Sequence, residues 1–167
     1  MVYAKNPKAA ASLSTSLQQG KIEKWYQAVI CGKPVDNNGT YVDYLKQDKK
    51  NNCSRIVDKS DPDGKRAELE YKVLDCIQTE EKDPQYLSLV EIKLLTGRHH
   101  QIRVQFSGHG TPLYGDGKYG NNEKAVRKSL ALCAYHLKFK HPATGKIMDF
   151  QIKPDTGAFK LFSKSND

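Results

Sequence analysis

The segment from Ala67 to Leu95 constrains the fold more than any other part of the 167-residue chain. Two long strand-like runs, AELEYKVLDCIQ and YLSLVEIKLL, are joined by the charged stretch TEEKDP, and together they read as a β-hairpin. Any fold for this chain must therefore be built round an antiparallel pair. The remaining elements extend that start. Residues 1–5 read as the end of a strand, and NPKAAASLSTSLQQG predicts a helix with Asn6 as N-cap, Pro7 at its first position and Gly20 as its stop. IEKWYQAVICG alternates Trp25, Gln27, Val29 and Cys31 against Tyr26, Ala28 and Ile30, which suits a strand with both faces partly covered.

Residues 36–66 are polar, with DNNG, QDKKNN and SDPDG as turn signals around short strands near 40–46 and 53–58. After residue 110 come a loop TPLYGDGKYGNNEK, a strand LALCAYHLKF, a turn KHPATGK, a strand IMDFQI and a short helix near 156–163. Long antiparallel strands with few segregated helices predict an α+β fold: one domain over residues 1–167, with a mixed, largely antiparallel sheet and a few flanking helices. There is no internal repeat and no low-complexity tract.

Composition narrows the function classes. Hydrophobic residues make up 38% of the chain without any long apolar run, and a membrane helix needs ~20 consecutive ones. MVYAKNPKAA lacks the pattern of a signal peptide, so the expectation is a soluble, cytoplasmic protein with no membrane partner. Cys31, Cys53, Cys76 and Cys133 form no Cys-x-x-Cys pair, which argues against a zinc ribbon or redox motif and for reduced, structural thiols. Lys and Arg number 27 against 19 Asp and Glu, a formal charge of +8. Such a surplus suits a polyanionic partner such as nucleic acid, or else a generally basic surface.

LLTGRHHQIRVQFSGHG, Leu94 to Gly110, places two arginines, two adjacent histidines and a glutamine within six residues. A helix beginning at Arg98 puts Ile102 and Phe106 on one face, with His99, His100 and Arg103 on an adjoining arc of roughly 100°. Thr96-Gly97 would cap it, Gly108 and Gly110 would stop it, and its N-terminus with Arg98 would suit a phosphate. A strand, with Ile102, Val104 and Phe106 alternating against Gln101, Arg103 and Gln105, is the rival reading, but it leaves the glycines unexplained. His99 and His100 point apart on a helix and have no cysteine close in sequence, which disfavours a metal site. Ser107 and Cys133 lack the context of a nucleophile. An exposed polar helix face remains the alternative to a functional site.

LLTGRHHQIRV and GTPLYGDGKYG together resemble the segment of RluA-type pseudouridine synthases that runs Leu-x-Thr-Gly-Arg-Thr/Ser-His-Gln-Ile/Leu-Arg-Val-His, then Gly-x-Pro-Ile-x-Gly-Asp-x-x-Tyr-Gly. VYAKNPKAAASLS is similar to that family's Phe-Ala-Lys strand and following helix, KWYQAVICG to its Lys-x-Tyr-x-Ala-x-Val-x-Gly block, and LCAYHLKFKHPATGKIMDFQIKP to its closing block. The resemblance implies an enzyme that converts uridine in structured RNA, rRNA or tRNA, to pseudouridine. The C1′–N1 bond is cut, the base turns and a C1′–C5 bond forms, with no cofactor and no metal. The base must leave its stack to be reached, so a pocket and a basic rim are implied. Carried over, Arg103 matches the basic residue that pairs with the catalytic aspartate, and Tyr26 the tyrosine that stacks on the flipped base. Arg98, His99, His100 and Gln101 match positions of RNA contact and wall geometry.

The chain departs from the family at His99, Gln105 and Cys133, which replace a small hydroxyl residue and two histidines. The larger departure is that Arg-Leu-Asp, which carries the family's catalytic aspartate, occurs nowhere in the sequence. Met1 falls inside the strand that follows this motif in the family. The expectation is a C-terminal portion of a catalytic domain that holds the cationic half of a site and is inactive alone, or else a non-catalytic RNA-binding domain. A free sheet edge near residues 1–5 would favour self-association. Arg103, which stays charged, would have to find backbone carbonyls, a rerouted carboxylate or an anion.

Overall fold

The computed structural model describes residues 2–80, 84–120 and 129–162. Seven strands, β1 (Glu23–Cys31), β2 (Asn38–Asp48), β3 (Cys53–Val57), β4 (Lys65–Gln78), β5 (Tyr86–Leu94), β6 (Leu132–Lys140) and β7 (Ile147–Gln151), form one sheet in the order β3-β2-β4-β5-β1-β6-β7. The expected hairpin is the β4–β5 pair, with Tyr71 opposite Ile92 and Val73 opposite Val90. It lies at the centre because its strands are long enough to pair on both sides, β4 with β2 and β5 with β1. Every pairing described is antiparallel, so the mixed element of the expected sheet is absent among the described residues.

The period-two alternation of β1 divides the core between two faces. Ala28 and Ile30 point to a cluster with Leu69, Tyr71, Val90 and Ile92, closed over by Ile102 and Phe106 of helix α2 (Gln101–Gly108). Val29 points the other way, to Leu87, Ala131, Phe159 and Phe162, the last two from a 3-10 helix at Gly157–Phe162. Each fully buried side chain of this size stabilises by about 1.5–3 kcal/mol, so Ile102 and Phe106 suffice to hold a two-turn helix that would not form alone. Gly108 ends α2 where a Cβ would meet Ile56 Cδ1 of β3 at 2.3 Å, so any larger residue there would have to displace the Ile56 side chain.

The first helix, α1 (Pro7–Gln18), starts as the sequence predicts, with the Asn6 side chain accepting from the Ala9 N–H at 2.8 Å. It stops at Gln19, and Gly20 follows at φ 68, where Gly20 and Lys21 donate to the Leu17 and Ser16 carbonyls. None of its residues is buried.

Two expectations fail. Residues 2–5 are not a strand, and Val2 and Tyr3 are exposed. The free sheet edges are accordingly β3 and β7, not residues 1–5. The second failure is the start of α2, three residues later than expected. Parts of the expected turn at 79–84, loop at 111–124 and last helix lie outside the described residues. The four cysteines are half-buried and form no disulfide among the described residues. No helix among the described residues is long and apolar enough to cross a membrane.

Candidate active site and nucleic-acid interface

The side chains of Thr96, Arg98 and Gln101 hold the Thr96–His100 loop on β4, and Gln101 is the most buried of them. Gln101 is 3% exposed, and its Oε1 accepts from Thr96 Oγ1 and the Arg98 N–H, both at 2.9 Å, while its Nε2 donates to the Glu68 carbonyl at 3.0 Å. The same carbonyl receives the N–H groups of Leu95 and Thr96 at 3.1 Å. This explains the late start of α2. The Arg98 N–H, which an early helix would have left as an orphan, is satisfied by the side chain of Gln101, and the helix begins only at that residue. His100 occupies the N-cap at φ 52, ψ 24 with no capping hydrogen bond, a left-handed conformation that costs a non-glycine residue about 1–2 kcal/mol. Gln101 is expected among the residues of RNA contact and wall geometry; three of the four hydrogen-bonding positions of its amide are engaged inside the fold.

Arg103 is 18% exposed at its side chain and grips Asp116, which is fully buried. Nε donates to Oδ2 at 2.8 Å and Nη2 to Oδ1 at 2.7 Å, a bidentate pair. The guanidinium also lies 4.9 Å from the ring centroid of Tyr119. Asp116 Oδ1 accepts the N–H groups of Lys118 and Tyr119 at 3.0 Å as well. Burial pushes the Asp116 pKa up, but the bond from Arg103, the two backbone donors and the Arg103 charge outweigh it and hold the carboxyl below its usual range. Gly115, at φ 76, makes the turn possible, since a Cβ there would fall 2.2 Å from the Ser129 carbonyl oxygen. The rerouted carboxylate expected for Arg103 is therefore Asp116. Its grip occupies one edge of the guanidinium, and Nη1 has no partner among the described residues.

Tyr119 joins this pair to both histidines. Its hydroxyl accepts the Ser54 N–H at 2.9 Å and reaches His100 Nδ1 at 2.8 Å. The Tyr119 hydroxyl and His100 Nδ1 share one hydrogen bond, whose donor is set by the imidazole tautomer. Burial, then the charges of Arg103, His99 and Lys118, lower the His100 pKa and keep it neutral near pH 7. His99 takes Ser54 Oγ on Nδ1 at 2.9 Å and Asn52 Oδ1 on Nε2 at 3.1 Å, and its ring lies 3.8 Å from that of His100. His99 thus ties the start of α2 to β3 directly, and His100 does so through Tyr119. Asp116 and Tyr119 were not singled out as partners in the sequence; the signal available was the Gly-Asp turn with a tyrosine three residues on, inside a short loop.

Tyr26 lies on the sheet face covered by α2, packed against the Ile102 and Phe106 cluster. It is half-buried, burial raises its pKa, and its hydroxyl has no hydrogen-bond partner among the described residues. The β1–β6 register shifts between Trp25, opposite His136, and Tyr26, opposite Ala134, so a bulge sits at this side chain. Bulges re-aim side chains, and they are over-represented next to active sites.

Arg98 is exposed, with Nε donating to the Arg66 carbonyl at 2.9 Å. It lies between two cavities. One of about 500 Å³ is lined by Lys49, Ser54, Lys65 and His99 among others; the second, about 460 Å³, by Lys24, Lys93, Leu17 and Leu94 among others. The structure thus joins Arg103, His99 and His100 through Tyr119 and Ser54 and puts Arg98 on the adjoining rim, while Tyr26 packs on the core beneath α2 and makes no hydrogen bond or ring contact with them among the described residues.

Comparison with known proteins gives one family. The model described as RNA pseudouridylate synthase matches residues 1–108. An uncharacterized RNA pseudouridine synthase of Aquifex aeolicus is 35% identical over 165 residues, covering 93% of this chain and 50% of the relative. The ribosomal large subunit pseudouridine synthase D of Zymomonas mobilis is 34% identical over 161 residues, covering 92% and 48%. Human RNA pseudouridylate synthase domain containing 1 has the same fold, with a TM-score of 0.75 at 23% identity over 91% of this chain and 62% of the other. The chain spans about half the length of the curated relatives it matches.

Proposed function

The chain belongs to the RNA pseudouridylate synthase family, and on that premise we propose that it supplies the cation-bearing part of a site that isomerises uridine to pseudouridine in structured RNA, rRNA or tRNA. In this reading residues 1–167 are the C-terminal portion of a catalytic domain acting in the cytoplasm. Arg103 faces the catalytic aspartate through Nη1 while Asp116 fixes its other edge. Tyr26 stacks on the flipped base. Arg98, His99 and His100 line the approach of the RNA, and Gln101 holds the loop on which they stand. The chemistry needs no cofactor: the carboxylate works at C1′, and the residues here hold its charge and orient the base.

The observation that carries the reading is the union of the two motif segments. The Arg103–Asp116 and His100–Tyr119 contacts join Thr96–Gln105 to Gly115–Gly120, the two stretches most similar to the family. A bland polar helix face would not spend a buried carboxylate on its arginine. Because Arg-Leu-Asp is absent from the sequence, the 167-residue chain by itself binds RNA without isomerising it. The second reading, a non-catalytic RNA-binding domain, rests on that same absence.

Photocrosslinking separates a uridine-directed site from a generic RNA surface. An RNA carrying 5-iodouridine should form its principal adduct at Tyr26, and Tyr26→Leu should abolish it with little loss of RNA affinity. Adducts confined to other residues would overturn the assignment of Tyr26 and, with it, the uridine pocket.

A further inference from the structure

The positive charge around Arg98 is unevenly neutralised. Lys46 is held by Asp61 at 3.2 Å and Asp63 at 2.9 Å. Lys138 and His136 share Asp149, and His109 has Asp43. By contrast, Lys24, Lys49, Lys65, Lys93 and Arg98 take part in no ion pair among the described residues. These five line the two cavities that meet at Gly97 and Arg98. Lys49 and Lys65 lie on the β2–β3 side, where Asp63, already engaged by Lys46, is the acidic neighbour. Lys24 and Lys93 lie on the α1–β1 side with Glu23. Gly97 keeps the wall between the cavities low. The Lys24 ammonium lies close to it, 3.4 Å from where a Cβ would be. Burial also lowers the Lys24 pKa, as expected of a cation drawn in against the wall without a counter-ion.

Resting on the function proposed above, we propose that the two cavities form one phosphate track, in which the backbone of a single RNA strand crosses the Gly97–Arg98 wall from the Lys49–Lys65 side to the Lys24–Lys93 side. Arg98 is the one residue with a side chain that serves both halves, so a phosphate at the crossing meets it whichever way the strand runs. The Nε bond to the Arg66 carbonyl fixes the guanidinium while its remaining N–H groups stay free for phosphate oxygens. The track reads no base. It holds the strand on both sides of the nucleotide that enters the site, the positioning role that phosphate contacts have in nucleic-acid recognition.

The test is the salt dependence of binding of a labelled oligouridylate and an oligocytidylate to the full chain, between about 50 and 200 mM salt. Five phosphate contacts give a log–log slope of about −3.5, the same for both sequences. Lys24→Gln/Lys93→Gln and Lys49→Gln/Lys65→Gln should each reduce its magnitude by about 1.4, and Arg98→Ala by about 0.7, with unchanged thermal unfolding. Lys140→Gln/Lys146→Gln, which removes equal charge from the β6–β7 turn, should leave the slope unchanged. A lobe whose double variant keeps the full slope is not on the track, and an equal loss in the control pair means diffuse attraction; either result overturns the proposal while leaving RNA binding intact. Failure of the unsubstituted chain to bind either RNA would instead defeat the RNA reading on which the track rests.

Discussion

At the α2 end of the motif segment the polar groups are spent inside the fold, whereas the cations around Gly97 and Arg98 have no counter-ions among the described residues. Gln101 makes three hydrogen bonds while 3% exposed, and Arg103 makes a bidentate ion pair with a carboxylate that water does not reach. Arg98, five residues before Arg103, uses a single N–H internally. Side chains of similar character in one sequence motif therefore do different work: the buried set fixes the loop, and Arg98 keeps most of its guanidinium N–H groups unengaged among the described residues. A like-for-like count of cationic residues would have missed the distinction.

That contrast is broken most readily at Arg103. Arg103→Ala leaves Asp116 buried with two backbone donors and no counter-charge, and should cost about 3–5 kcal/mol in denaturant unfolding. Asp116→Ala should cost less, because the freed guanidinium retains some contact with water. If Arg103→Ala unfolds within ~1 kcal/mol of the unsubstituted chain, this end of the motif is not structural and the comparison collapses.

The next largest effect is expected at Gln101. Its truncation orphans the Arg98 N–H and removes one bond from the Thr96 hydroxyl, which keeps Glu68, and one from the Glu68 carbonyl, at about 1–3 kcal/mol. Amide exchange would sharpen the point: the Arg98 N–H should lose its protection in Gln101→Ala, and retained protection would mean that some other group holds the loop.

Acid should expose the same pair from another side. The folded Asp116 carboxyl titrates below its unfolded value of about 3.9, so its stabilisation is present above that pH and is lost as pH falls through the lower folded value. Stability measured below about pH 4 should fall less steeply in Asp116→Asn than in the unsubstituted chain. Parallel curves would show that the pair does not set this dependence.

The smallest effect on stability belongs to Arg98. Arg98→Ala should stay within ~0.5 kcal/mol of the unsubstituted chain while weakening RNA binding. A large loss of stability would move Arg98 into the structural set.

Much of this was legible in the sequence where the signal was local. The α1 caps, the β4–β5 hairpin and the two-faced β1 follow from Asn6, Pro7, Gly20 and period-two alternation, each a property of neighbouring residues. The start of α2 was not legible, because it depends on Gln101 reaching the Glu68 carbonyl on a strand 33 residues away. Residues 2–5 look strand-like by composition, yet extended backbone becomes a strand only when a neighbour pairs with it. Backbone carbonyls, a rerouted carboxylate and an anion were all open as partners of Arg103, and Asp116 was not identified, since it is brought in by a loop whose closure rests on Gly115. Spacing placed Arg98, His99, His100 and Arg103 together; tertiary pairing alone divides the free from the spent.

Release of tritium from RNA labelled at uridine C5 tests the central claim, that this chain holds the cationic part of a uridine-isomerising site without its carboxylate. The 167-residue chain alone should release none above background. Joined to the Arg-Leu-Asp segment of a pseudouridine synthase relative, it should release tritium, and Arg103→Lys should reduce that release because a lysine cannot grip Asp116 and a second carboxylate at once. Release by the chain alone that survives Asp116→Ala would contradict the account.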